Sequence, residues 1–304
     1  MNLDFIRSGK VTEFSGTETE YHATKDYISA SAMKKLKVSP MHFKEADEVT
    51  ETDAMIFGSA YHCFILEPDR FEKDYYVFDD HAIYEVLIGE GFKSPRSTKQ
   101  YKEWMASEMR VIGDRKSLSI DDFQKIKKMK DRLMSHRYIR TLLSDGVNEQ
   151  GFIASLETTA GQVEVKFKPD KFNEKKRFCV DLKTAADASI DGFSRSAAEM
   201  DYHIQAALYS DLLELRSGDG LGYSFFFIAQ EKTAPYAFNI FEASPQFLGQ
   251  GRYEYELLLQ LYKYCIDNNF WPGYQVWCEN KYGIVELNLP KYSIKSLDYF
   301  IHKL

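Results

Sequence analysis

Residues 168–184 read K-P-D-K-F-N-E-K-K-R-F-C-V-D-L-K-T, which places an acid at Asp170, then a polar turn, then a β-type run carrying Asp181 and Lys183 two residues apart. In a strand, side chains at i and i+2 share a face, so Asp181 and Lys183 project together while Leu182 turns into the opposite layer. The polar stretch from Asn173 to Lys176 is able to fold the preceding segment alongside and bring Asp170 near Asp181. Two carboxylates then converge beside an ammonium. Hard divalent cations such as Mg²⁺ take oxygen ligands and keep several waters, and a lysine next to such an ion can hold or activate water. The pattern predicts phosphodiester hydrolysis. A lone D-x-K pair is more often an ordinary surface hairpin, so the weight falls on the rest of the chain.

The 304 residues, 44% hydrophobic and 15% aromatic, suffice for one large core. The opening M-N-L-D-F-I-R-S-G-K lacks the basic-then-apolar pattern of a signal peptide, and the longest apolar run, 225–229, is far too short to cross a bilayer. A cytoplasmic protein with no membrane partner is expected. Cys63, Cys179, Cys265 and Cys278 form no C-x-x-C pair and fall mostly inside apolar patterns, so neither disulfides nor an iron–sulfur cluster is expected. With 39 basic and 46 acidic residues the net charge is −7, which argues against non-specific coating of nucleic acid by the outer surface and leaves room for a basic channel. The basic runs Lys34, Lys35, Lys37 and Lys125, Lys127, Lys128, Lys130, Arg132 read as solvated helix faces.

Residues 1–20 are polar and rich in Thr, Glu and Ser, which predicts an irregular arm. A short helix follows Tyr27, capped by Ser29 or Ser31 and ending near Pro40. Residues 52–66 read as a mostly buried helix carrying His62, which in such a setting is usually a hydrogen-bonded core residue. An irregular connection is expected over 79–100, with helices over about 98–110 and 121–143. Strands at 151–157, 162–168 and 177–182 form a meander, followed by a helix at 187–215, strands at 223–230 and 236–241, a helix at 244–268 and a last short helix. No repeat or low-complexity linker interrupts this order. The reading is therefore an arm over 1–20 and a single α/β domain over 21–304, with a helical N-terminal part at 21–145, a catalytic core at 146–274 and a C-terminal tail at 275–304.

In Y-H-I-Q-A-A-L-Y (202–209), Gln205 and Tyr209 are spaced i, i+4 and share a helix face that can look at Lys183. The ordered set G-S-A-Y-H (58–62), Glu149, K-P-D (168–170), V-D-L-K-T (180–184) and Q-A-A-L-Y (205–209) resembles the PD-(D/E)XK nucleases of the RecB-like branch, above all the RecE (exonuclease VIII) nuclease domains and their phage relatives. The resemblance spans about 27 to 274, with I-S-A-S near its start and W-P-G-Y near its end. It implies a central mixed sheet flanked by helices and Mg²⁺ dependence, with Mn²⁺ able to substitute. It also implies 5′-to-3′ digestion of linear double-stranded DNA, leaving a 3′ single strand for a RecT-like annealing protein in recombination, by a ring-shaped homo-oligomer threaded by DNA.

Carried over residue by residue, the resemblance assigns Asp170, Asp181 and the Leu182 carbonyl to the metal and Lys183 to the attacking water. His62 matches a helix histidine expected at a second metal or the scissile phosphate. Glu149 stands where another acid ligand falls, with Glu157 and Glu164 as competing acids. Gln205 and Tyr209 match a helix that orients the lysine and touches the DNA backbone, and Ser29 and Ser31 match a stretch near the terminal 5′ phosphate. The second acid is Asp rather than Glu, as in RecB-like members, which fits exonuclease and endonuclease action alike; a structure-specific or single-strand nuclease is a second reading within the same chemistry. A non-catalytic DNA-end-binding module is the remaining reading. The intact acids argue against it, because clustered carboxylates carry a repulsion that a pure binder has no need to bear.

Overall fold

The run S-F-F-F-I-A (224–229) shows no polar alternation, the pattern of a strand covered on both faces. In the computed structural model, which describes residues 5–46, 50–274 and 284–289, that run lies inside a mixed five-stranded sheet with a packed layer on each side. The described chain runs β1 (Ile6–Glu13), α1 (Glu18–Ala23), α2 (Ala30–Val38), α3 (Pro40–Lys44), α4 (Asp53–Leu66), α5 (Pro68–Asp74), β2 (Tyr75–Phe78), α6 (His81–Gly89), α7 (Lys99–Ile112), β3 (Lys116–Ser119), α8 (Ile120–Met134) and α9 (Arg137–Ser144). It continues with β4 (Val147–Asn148), β5 (Phe152–Thr158), β6 (Gly161–Phe167), β7 (Lys171–Asn173), β8 (Phe178–Ala185), α10 (Ile190–Glu199), α11 (Tyr202–Ser217), β9 (Ser224–Glu231), β10 (Phe238–Glu242) and α12 (Pro245–Asn268).

The main sheet has the order β10-β9-β8-β7-β4, with β8 and β9 parallel and the other neighbours antiparallel. A second, antiparallel sheet has the order β1-β5-β6, and β2 pairs with β3 in parallel. Alternation along β8 divides the interior. Phe178, Val180 and Leu182 pack with α4, α8 and α9, whereas Cys179 packs with Phe225 and Phe227 of β9 in the core shared by α2, α10, α11 and α12. This is the mixed α/β architecture with flanking helices that the resemblance implies.

Local chemistry fixes the helices. The side chains of Ser29, Thr52, Ser119, Ser189 and Ser244 each accept a backbone N–H in the first turn of the helix they precede. Between α11 and α12, Gly251 lies so close to the His203 carbonyl that a Cβ there would sit 2.0 Å from its oxygen. Asp211 receives Arg252 through two nitrogens and the Tyr255 hydroxyl across the same contact.

Several expectations are corrected. The arm expected to be irregular over 1–20 contains β1, paired with β5 over its length, and the start of α1, with a capping box between Thr17 and Glu20. Residues 79–100 contain α6, anchored through buried Asp80, which receives the Tyr101 hydroxyl and Arg96. The helix expected over 121–143 breaks into α8 and α9 because the His136 ring caps the second. The helix over 187–215 breaks where Asp201 takes a left-handed conformation at φ 52°. The expected meander is divided between two sheets, β5 pairing with both β1 and β6 while β8 pairs with β7 and β9. The predicted last helix and most of the 275–304 tail lie outside the described residues, as does Cys278, while Cys63, Cys179 and Cys265 are buried in three different elements. Among the described residues, no helix is long and apolar enough to cross a membrane.

Candidate active site

β7 has three residues and β8 has eight, so β8 outruns its partner. The register pairs Lys171 with Val180 and Asn173 with Phe178, and the Asn173 side chain closes the turn by accepting the Lys176 N–H. Beyond Lys171 the edge of β8 is open, and there the Leu182 N–H donates to Asp170 Oδ2 at 2.7 Å. The hairpin thus brings Asp170 back against the D-x-K strand. Glu149 follows β4 in a left-handed conformation (φ 49°), and its N–H donates to the Asp170 carbonyl. A non-glycine residue held there carries backbone strain, which structures tend to store at functional positions.

His62 enters from α4. Its Nδ1 lies 3.3 Å from Asp170 Oδ2 and 4.0 Å from Glu149 Oε1, and its ring also meets the Leu182 backbone oxygen. The neighbouring Tyr61 hydroxyl fixes α4 by donating to Gln230 Oε1 at 2.7 Å in the buried interior. His62, Glu149 and Asp170 each offer one donor atom, and these atoms lie within 4.8 Å of one another, a set able to hold a metal ion. Of the three acids open on sequence, Glu149 joins this group, whereas Glu164 bonds to Ser155 and Gln162, and Glu157 faces Ser8 and Gln162 in the other sheet.

Asp181 does not share that triad. Its Oδ1 accepts the Gln205 amide at 2.5 Å, and its Oδ2, buried and without a hydrogen bond of good angle, lies 2.6 Å from the Lys183 ammonium. Gln205 also faces Lys183 at 3.5 Å, so α11 links the two D-x-K side chains. The Lys183 ammonium sits 4.7 Å from the centroid of the Tyr202 ring, and Lys34 of α2 reaches the same ring at 5.0 Å.

Electrostatics follow from crowding acids in a low-dielectric recess. Burial, then the neighbouring Asp170, pushes Glu149 up to about 7, against the pull of Lys168 and His62. Burial and Asp181 likewise raise Asp170 well above the carboxylate range. Burial lowers His62, partly offset by Glu149. Burial also opposes the Lys183 charge, yet Asp181 and Asp170 outweigh it and hold Lys183 as an ammonium. His62, Glu149 and Asp170 open into a cleft of about 550 Å³ also lined by Arg70, Arg115 and Lys168.

Other sequence candidates fall elsewhere. Tyr209 is buried between the rings of Phe167 and Phe225, so the DNA contact expected of it is replaced by a core role. Ser29 caps α2 and shares a hydrogen bond with Ser31 at 3.0 Å, on the helix that carries Lys34. The first basic run is no solvated face throughout, for Lys37 pairs with Asp201 and Glu254 and Lys34 lies over Tyr202. Sequence reasoning assigned no role to Lys168, which contacts Glu149 at 3.0 Å. Its spacing of two from Asp170 was the available signal.

A short acid hairpin, an open D-x-K strand edge and a flanking helix that bonds both strand side chains define the PD-(D/E)XK class of fold, which supports nuclease function. The chain belongs to the family described as a PDDEXK-like domain of unknown function (DUF3799), whose model matches residues 29–282. Its fold is similar to the crystal structure of a candidate exonuclease from Eubacterium rectale, with TM-score 0.57 and 17% identity over 94% of this chain and 98% of that one. No curated protein matches.

Proposed function

We propose that this protein is a metal-dependent 5′-to-3′ exonuclease that degrades linear double-stranded DNA to leave 3′ overhangs for strand annealing. The carrying observation is the convergence of Asp170, Glu149 and His62 with the Asp181–Lys183 pair at one open strand edge. The donor set fits a divalent ion: two half-buried carboxylates with raised pKa gain from a cation, and among the described residues buried Asp181 has only the Lys183 ammonium against its Oδ2. Asp170, Glu149 and His62 would hold the ion, and the resemblance adds Asp181 and the Leu182 carbonyl; oxygen donors suit Mg²⁺, and the imidazole makes Mn²⁺ an able substitute. When bound, it lowers the pKa of water and offsets charge on the phosphate.

The chain's own residues do the rest. Lys183, held as an ammonium, donates hydrogen bonds to the attacking water or a phosphate oxygen and stabilises developing negative charge. Gln205 keeps that ammonium and Asp181 in register. Lys34, near the same ring as Lys183, offers positive charge to the DNA backbone. The family resemblance further supports a ring-shaped homo-oligomer, a RecT-like annealing partner and a cytoplasmic setting, all part of this reading.

The test is digestion of end-labelled duplex carrying 5′ or 3′ phosphates, beside circular and single-stranded DNA, with Mg²⁺ or Mn²⁺. Shortening from the 5′ ends of linear duplex alone is expected, and its loss in Asp170→Asn. Cleavage of circles or of single strands alone would replace the reading with an endonuclease or a single-strand nuclease. Metal-independent end binding without product would replace it with a binding module.

A further inference from the structure

Lys166, on β6, and Lys168, just beyond it, lie two residues apart, and both reach α1. Lys166 Nζ donates to the Tyr21 and Thr24 carbonyls that end α1, at 2.8 and 2.7 Å, and Lys168 Nζ contacts Glu18 Oε2 in its first turn at 2.6 Å. The other partner of Lys168 is Glu149 Oε2 at 3.0 Å. One ammonium thus joins the N-terminal helix, which precedes the family match at residue 29, to a residue of the candidate metal site.

We propose that Glu18 is a positioning residue for the metal site, acting through Lys168 on Glu149; this rests on Glu149 being a metal ligand. Glu149 Oε1 faces His62 while Oε2 holds Lys168, so an ion that takes both oxygens must draw Oε2 away from Lys168. The Lys168 side chain is only 17% exposed, so an ammonium left there without a carboxylate is poorly hydrated. Glu18 remains as its partner and makes the release possible. Without Glu18, Lys168 keeps Glu149 and competes with the ion.

The experiment is calorimetric titration of Mn²⁺ into the DNA-free full-length protein, comparing the wild type with Glu18→Gln, Lys168→Met and the double variant; Lys168→Gln replaces Lys168→Met should that one not fold. Glu18→Gln is expected to weaken Mn²⁺ binding about two- to fivefold, the scale of a partly exposed ion pair, with an unchanged circular dichroism spectrum. That effect is expected to vanish in the Lys168 background, since the two act in series. Wild-type affinity in Glu18→Gln, or the same loss with Lys168 already removed, overturns the proposal. A wild-type protein that binds no Mn²⁺ overturns the metal-site reading itself, and this proposal with it.

Discussion

Replacing Glu149 by Gln should stabilise the metal-free protein, because the fold holds that carboxylate in a place that resists its charge. The side chain is 14% exposed, and its pKa is raised from 4.5 to about 7. The native state therefore binds more protons than the unfolded chain between those values. The favourable contribution is fully present below about pH 4.5 and is lost as pH rises through about 7. At about 1.4 kcal/mol per unit, the ionised group withdraws up to ~3 kcal/mol at pH 8. Glu149→Gln removes that term and also takes one of two carboxylates from Lys168, so a net gain of ~1–2 kcal/mol is expected, a few degrees in Tm. Scanning calorimetry in EDTA from pH 5 to 8 measures it. The wild-type Tm should fall with rising pH relative to the variant, and Mg²⁺ should restore the wild type alone. A variant that melts below the wild type at pH 8 in EDTA, or a gap that does not change with pH, refutes the reasoning.

Lys183→Met leaves the Asp181 carboxylate, 2% exposed, without its counter-charge. It should destabilise the metal-free protein by ~3 kcal/mol and lower single-turnover cleavage by about 100-fold or more, read in urea melts and gel assays. Gly251→Ala drives a Cβ against the His203 carbonyl and should cost about 2 kcal/mol while weakening cleavage, since the displaced helix carries Gln205. Tyr61→Phe leaves the Gln230 side-chain oxygen unpaired in the interior, which should lower stability by about 1–2 kcal/mol in denaturant titrations.

Much of this was legible in the chain because the signals are local. The i, i+2 spacing of Asp181 and Lys183 and the polar turn at Asn173 specify a hairpin whatever surrounds it, and the polar caps Thr52 and Ser244 mark where helices begin. What escaped depends on distant partners. The N-terminal segment reads as a polar arm, yet β1 pairs with β5 and Lys166 secures α1, contacts that join residues more than a hundred positions apart. The i, i+4 spacing of Gln205 and Tyr209 gave them one face, but only the packing of α11 against Phe167 and Phe225 decides that Tyr209 is enclosed while Gln205 meets Asp181. Glu149 was indistinguishable from Glu157 and Glu164 until the bend after β4 turned it inward.

His62 hangs from a helix packed on one side of the main sheet and Gln205 from a helix packed on the other, with β8 between them. The working parts therefore meet at a seam, and neither layer can shift alone without parting them. Gentle warming that loosens either slab should silence the protein while its circular dichroism still reports an intact β-framework, which makes activity a finer thermometer of this molecule than its secondary structure.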